Sequence, residues 1–153
     1  MKIPNAAFTY RETASLGASP VGVVILLYDR LAQDIHAAIA AMKSADVEAR
    51  SSSINHGLLI LQQLQGSLDF AAGGAAARQL DVFYSHIRGK LLEAQIRQSP
   101  EMLLAQAQAI AQVRQSWAEV ERSSAANGEH PVPTSQAAPT PPEPEPVALS
   151  WGA

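Results

Sequence analysis

The residues able to do acid, base or metal chemistry are few and poorly spaced. A di-iron helical bundle needs a Glu-x-x-His motif on each of two helices, and the sequence contains no such motif. No two of the four histidines stand at the spacing of metal ligands. We therefore predict no metal and no other cofactor, and we interpret each histidine as a surface or capping residue: His36, His56, His86 and His130.

Motifs for nucleophilic catalysis and phosphate binding are missing as well. The chain has no G-x-S-x-G, no G-x-x-x-x-G-K and no cysteine. Asp69 and Asp81 flank the pair Gly73-Gly74, but no strand precedes this pair and no lysine follows it in place. We expect a positive-φ turn between two helices there, and no enzyme activity. An enzyme or metal protein remains the lesser alternative, which stoichiometric metal in an elemental analysis would revive.

Helix signals organise the middle of the chain. Ser19-Pro20 and Ser99-Pro100 each place a capping serine before a proline suited to the first helical position. Apolar residues then recur at spacings of three and four, with breaks at Lys43–Asp46 and Ala72–Gly74. The sequence predicts an all-α fold, an antiparallel four-helix bundle with helices at about 20–43, 46–71, 75–98 and 100–122.

The predicted core residues form one stripe on each helix. Gly57, Gly66 and Gly89 lie inside helical stretches, where each glycine costs about 0.5 to 1 kcal/mol relative to alanine. We expect neighbouring helices to approach closely at these glycines. The stripes are Val21, Val24, Tyr28, Leu31, Ile35, Ala38 and Met42; Ile54, Leu58, Leu61, Leu64 and Leu68; Leu80, Phe83, Ile87, Leu91 and Ala94; and Leu103, Ile110, Val113, Trp117 and Val120.

Composition narrows the partners and the compartment. The 153 residues include 14 acidic and 11 basic ones, which gives a net charge of −3. The sequence therefore lacks the excess of basic residues that is typical of proteins that bind nucleic acid or anionic lipid. The apolar run from Val21 to Tyr28 is far shorter than the roughly 20 residues that span a bilayer. The opening residues MKIPNAAFTYRE lack the apolar core of a secretory signal. We expect a cytoplasmic protein without nucleic-acid partners or stable membrane insertion.

The two flanks differ in composition from the bundle. Seven of the ten prolines fall between Pro131 and Pro146, without apolar periodicity. We predict three parts: an N-terminal segment at 1–19, the bundle at 20–122 and a disordered Pro-rich tail at 123–153. The tail is interpreted as solubilising, with a docking strip as the alternative. Trp151 is the residue that this interpretation explains least well.

The first two helices carry more apolar residues than one stripe needs. Val23, Leu26 and Leu27 lie away from the stripe of the first helix, as do Leu59 and Ile60 in the second. An apolar helix with two apolar faces lies in the centre of a larger core or meets a partner. Because no helix of a four-helix bundle is central, the pattern favours a partner.

Five segments of the chain carry a family resemblance. After Tyr10 and the Ala18-Ser19-Pro20 helix start come VVILLYD (Val23–Asp29), SLDFAAGG (Ser67–Gly74), LDVFY (Leu80–Tyr84), LLEA (Leu91–Ala94) and SWAEV (Ser116–Val120). These segments resemble the FliS family of flagellar export chaperones. Their order and spacing follow the family from about Asn5 to Val120. The chain departs from the family pattern at Arg30, Gly89, Lys90 and Gln95, and the tail lies outside the resemblance.

The resemblance implies a chaperone that binds the C-terminal region of flagellin, prevents its premature polymerisation and delivers it to the cytoplasmic domain of the export-gate protein FlhA. It implies that Phe8 and Tyr10 cap part of the groove and contact the gate. The alternative is a self-associating bundle without a flagellin client, whereas a capped chaperone is expected to be mainly monomeric with at most weak self-association. The residues predicted for the flagellin groove are Val23, Leu26, Leu27, Ile60, Leu64, Leu68, Val113 and Trp117.

Overall fold

Residues 19–126 of the computed structural model can be described, and they form four α-helices without a strand in that range. Turns of two or three residues join consecutive helices, so neighbours along the chain run antiparallel. The all-α four-helix bundle predicted from the sequence is confirmed. The helices are α1 (Pro20–Lys43), α2 (Val47–Gly66), α3 (Phe70–Arg97) and α4 (Pro100–Ala126).

Each helix begins at a short polar side chain that caps its first turn. A serine or aspartate oxygen accepts a hydrogen bond from the backbone N–H three residues further on, which satisfies one of the free amides at a helix start. The four accepting side chains and their donors are Ser19 with Gly22 at 2.9 Å, Asp46 with Ala49 at 3.0 Å, Asp69 with Ala72 at 3.0 Å and Ser99 with Met102 at 3.1 Å.

The connection between α2 and α3 comes earlier than predicted. Helix α2 ends at Gly66 instead of 71, and α3 begins at Phe70 instead of 75. The cap at Asp69 explains the difference, because this carboxylate starts the next helix before the glycine pair is reached. The positive φ expected there is confirmed at Gly74 (φ 55°), but it kinks α3 internally and does not separate two helices.

Helix α4 also differs from its predicted length. It continues to Ala126, past the predicted end at 122. Val120 is the last residue of the predicted stripe. Residues 121–126, which follow it, contain no large apolar side chain. Alanines and serines continued the helix where the apolar pattern had stopped, so the pattern underestimated its length.

The four helices form a closed square. Helix α1 packs mainly against α2 and α4, while α3 lies diagonally opposite and packs against the same two neighbours. The predicted stripes point into the space between them. Most stripe residues are fully buried, whereas Met42, Leu58, Leu68, Phe83 and Val120 are partly buried against the core.

The helical glycines behave differently from one another. A Cβ atom at Gly57 would lie 3.3 Å from Leu31 Cδ1 and 3.6 Å from Asp34 Cβ, so α1 and α2 approach closely there as expected. Nothing lies within 4 Å of a Cβ built at Gly66 or Gly89. The expected close approach was therefore wrong at these two positions in the isolated chain.

Candidate functional site

Large apolar side chains are exposed on every helix of the described range. Leu26 lies on the outer face of α1 with 47% of its surface exposed, and Leu59 on α2 with 43%. Helix α3 carries the most, including Ile96 at 82%. These side chains are the ones a partner can reach without a change in the fold: Leu26, Val47, Leu59, Phe70, Val82, Leu92, Ile96 and Leu104.

The predicted groove residues divide into two groups. Leu26 is exposed, and Leu68 is partly buried at the turn that follows α2. The other six are buried in the bundle itself, with Trp117 and Leu64 completely enclosed. A client could contact these six only if the helices separated, so their role stays a prediction: Val23, Leu27, Ile60, Leu64, Val113 and Trp117.

The burial of Val23 and Leu27 has a geometric reason. Helix α1 lies between α2 and α4, and it therefore buries a wide arc of its surface. Residues beside the stripe, such as Val23 and Leu27, fall within this arc, whereas Leu26 falls opposite it. Most of the surplus apolar surface of α1 is consequently core, and Leu26 is what remains outside.

Sequence reasoning missed most of the exposed apolar residues on α3 and α4. Val82, Leu92, Ile96 and Leu104 were not among the predicted groove residues, although Val82 and Ile96 are more exposed than Leu26 and the other two are almost as exposed. The signal that would have found them is the one that found Leu26: an apolar residue placed opposite the stripe of its own helix.

A pair of tyrosines joins α1 to α3 across the diagonal of the square. The hydroxyl oxygens of Tyr28 and Tyr84 lie 2.7 Å apart, and the two rings meet edge to face with centroids separated by 6.2 Å. Burial raises the pKa of both hydroxyls above the ordinary value of 10, so both stay neutral near neutral pH. Beside them, the indole ring of Trp117 is completely buried.

Polar contacts near the surface join α1 to each of its two neighbours. Arg114 of α4 donates two hydrogen bonds to the Asp29 carboxylate of α1, the shorter at 2.6 Å. Asp34 of α1 lies 2.6 Å from the Nδ1 atom of His56 on α2, and burial raises the pKa of Asp34 although His56 opposes this. These two contacts hold α1 against α2 and α4 through paired charged side chains.

Residues 19–126 contain no group of three or more His, Cys, Asp or Glu side chains that could hold a metal ion. None of their helices is both long and apolar enough to cross a membrane. The predicted cap residues Phe8 and Tyr10, and the Pro-rich tail, lie outside the described residues.

A model of the family described as flagellar protein FliS matches residues 3–124. The chain belongs to the FliS family. This is a chaperone family and not a family of enzymes, and membership indicates a flagellar chaperone role. No protein among those with curated functions matches the chain.

The segments that resemble the FliS family mark structural positions in the bundle. SLDFAAGG contains the Asp69 cap and the Gly74 kink. LDVFY and SWAEV supply Tyr84 and Trp117, which are fully buried next to Tyr28. These segments thus supply core and turn residues of the bundle, and they also carry the exposed residues Leu26, Phe70, Val82 and Leu92.

Proposed function

We propose that this FliS-family protein binds the disordered C-terminal region of flagellin in the cytoplasm and keeps it from polymerising before export. The match to the FliS family over residues 3–124 carries this proposal. The exposed apolar side chains, present on all four helices, support it because they suit an extended client that wraps around the bundle. We propose further that the complex is delivered to the cytoplasmic domain of FlhA, with Phe8 and Tyr10 in contact with it.

The energetics of such a client favour release after transport. A segment that folds on binding loses several kcal/mol of the gross interaction energy to the ordering of its chain, so a large interface need not be irreversible. Each large apolar side chain buried by the client adds roughly 1.5 to 3 kcal/mol of favourable free energy. The eight large apolar side chains exposed in residues 19–126 are enough for a tight but reversible complex.

Isothermal titration calorimetry tests the proposal. The full-length protein is titrated with a peptide that covers the C-terminal region of flagellin from the same organism. We expect one-to-one binding with a large negative heat-capacity change, because apolar surface leaves water on both partners. A folded protein that shows no binding at micromolar peptide would overturn the proposal.

The alternative is a self-associating bundle without a flagellin client. The exposure of apolar residues is the observation that favours it, since the same surface could pair with a second copy. Light scattering separates the two: the chaperone is expected to have the mass of one chain, and a stable dimer that ignores the peptide would support the alternative.

A further inference from the structure

The outer face of α3 carries an apolar stripe that nothing in residues 19–126 covers. Val82, Leu92 and Ile96 are exposed by 68%, 45% and 82%. Together with Gly89 they succeed one another at spacings of seven, three and four residues, which places them on one side of the helix. We call these four residues the α3 stripe.

Gly89 leaves a shallow depression in the middle of the α3 stripe, because glycine has no side chain. It lies at an exposed position with nothing within 4 Å of a built Cβ, so no contact inside the described chain requires a glycine there. A glycine in the middle of a helix costs about 0.5 to 1 kcal/mol relative to alanine. A chain laid across the α3 stripe would use this space, because it could approach the helix backbone closely.

The charge around the stripe is positive. Helix α3 contains four basic residues against two acidic ones, whereas α1 and α2 are balanced and α4 has an excess of one acidic residue. Within residues 19–126 Arg78 and Arg88 form no ion pair, while Glu93 pairs with both Lys90 and Arg97. The α3 stripe is therefore flanked by uncompensated positive charge in a protein whose net charge is −3.

One segment of this chain has the matching chemistry. Residues 127–153 contain three glutamates and no lysine or arginine. The sequence EPEPVALSW, from Glu143 to Trp151, places two of these glutamates directly before Val147, Leu149 and Trp151. An acidic and apolar segment of this kind complements a basic helix face with an apolar centre.

The lengths also agree. From Val82 to Ile96 the helix rises about 21 Å, and an extended segment from Glu143 to Trp151 covers about 25 Å. Helix α4 ends at Ala126, at the opposite end of the bundle from Ile96, a distance of about 40 Å along the helix. The sixteen residues from 127 to 142 span up to about 50 Å when extended, so the segment can reach the whole stripe.

We propose that the segment Glu143–Trp151 docks on the α3 stripe of its own chain, with Glu143 and Glu145 near the arginines of α3 and Trp151 against its exposed apolar side chains. This proposal does not depend on the flagellin client. It gives the tail a binding role, and it identifies the segment that would cover the outer face of α3.

Paramagnetic labelling of the full-length protein tests the proposal. The chain has no cysteine, so Ser150→Cys provides a single attachment point for a nitroxide. We expect selective loss of amide NMR signal at residues 82–97 and none on the outer face of α1 around Leu26, which lies diagonally across the bundle. Added salt should weaken the loss, because it screens the exposed charges. Signal loss that is absent, uniform or centred on another helix would overturn the proposal.

Two variants and one mixing experiment sharpen the test. Ile96→Glu should abolish the signal loss, whereas Leu104→Glu makes the same change at an exposed leucine of α4 and should preserve it. Trp151→Ser should also abolish it. In the mixing experiment, one protein carries the spin label but no ¹⁵N, and the other carries ¹⁵N but no spin label. We expect no signal loss in this mixture. Loss in this mixture would mean that a second copy supplies the segment, and it would overturn docking within one chain.

Discussion

At the scale of single residues, the tyrosine pair is the most specific feature of the core. Tyr28 and Tyr84 share a hydrogen bond in a region that is otherwise apolar, and Tyr84 makes at least one further interaction. If one hydroxyl were removed, the other would be buried without this hydrogen bond. Unless another group replaced the bond, the folded state would lose stability, because the buried hydroxyl has also lost its contact with water. The pair therefore fixes the relative position of α1 and α3, which are not adjacent in the square.

Alkaline pH should expose the contribution of this pair. Because the pKa values of Tyr28 and Tyr84 are raised in the folded state, their stabilising effect is complete below pH 10 and is lost as the pH rises above it, where the unfolded chain ionises. Urea titrations at rising pH should show a steep fall in the free energy of unfolding above pH 10. In Tyr28→Phe/Tyr84→Phe the fall should be shallower, and an unchanged slope would contradict the assignment.

The glycines allow a second residue-scale prediction. Gly57→Gln should lower the free energy of unfolding by about 1 to 3 kcal/mol, because its side chain would press against the buried Leu31. Gly89→Gln is the matched control; in a Trp151→Ser background, where no docked segment covers Gly89, it should raise stability by about 0.5 to 1 kcal/mol through helix propensity alone. Denaturant unfolding measures both, and equal effects at the two positions would mean that Gly57 is not a close contact.

At the scale of the helices, the turn between α1 and α2 departs from its ideal sequence. Ala45 has a φ of 59°, a left-handed conformation that usually belongs to glycine at the end of a helix. The backbone N–H of Asp46 donates to the Ala41 carbonyl at 2.8 Å, which closes the turn around Ala45. The backbone bonds hold Ala45 in this conformation.

Ala45→Gly should therefore stabilise the protein by about 0.5 to 1 kcal/mol, even though glycine is usually the less stable choice in a helix. Ala40→Gly provides the opposite control, since Ala40 is an exposed residue inside α1 and its replacement should cost a similar amount. The melting temperatures of the two variants should shift in opposite directions. A shift in the same direction would show that the turn does not require a left-handed residue.

The helices were the most predictable part of the molecule. Capping serines before prolines, together with stripes at spacings of three and four, located all four helices and most of the core. The α2–α3 boundary was not predictable from the glycine pair. Asp69 precedes this pair in the sequence and already caps the start of α3. Pattern alone could not decide whether Gly74 ends a helix or kinks one.

At the scale of the whole molecule, the candidate surface was harder to predict than the fold. Val23 and Leu27 are indistinguishable from Leu26 by residue type, yet they are buried while Leu26 is exposed. Their burial depends on the position of α1 between two neighbours, which is a property of the assembled square. The sequence identified surplus apolar residues but could not assign them to the core or the surface.

Leu26→Asp should abolish binding of the flagellin peptide while the far-ultraviolet circular dichroism of the bundle stays helical, because Leu26 is already half exposed. Ala40→Asp introduces the same charge at an exposed residue of α1 that is not one of the exposed large apolar side chains, and it should bind normally. Calorimetry measures both. Loss of helicity in Leu26→Asp, or equal loss of binding in both variants, would remove Leu26 from the client surface.

The closed square also has a consequence for folding kinetics. Three of its four sides join helices that follow one another through short turns, so these pairs can form locally. The fourth side, α1 against α4, is held by contacts such as Ser19 with Glu121, separated by 102 positions in the sequence. Closing this side carries the largest loop-entropy cost. The docking of α4 onto α1 should therefore limit the refolding rate, and a chain emerging from the ribosome cannot complete the core of the bundle until α4 has left the ribosome.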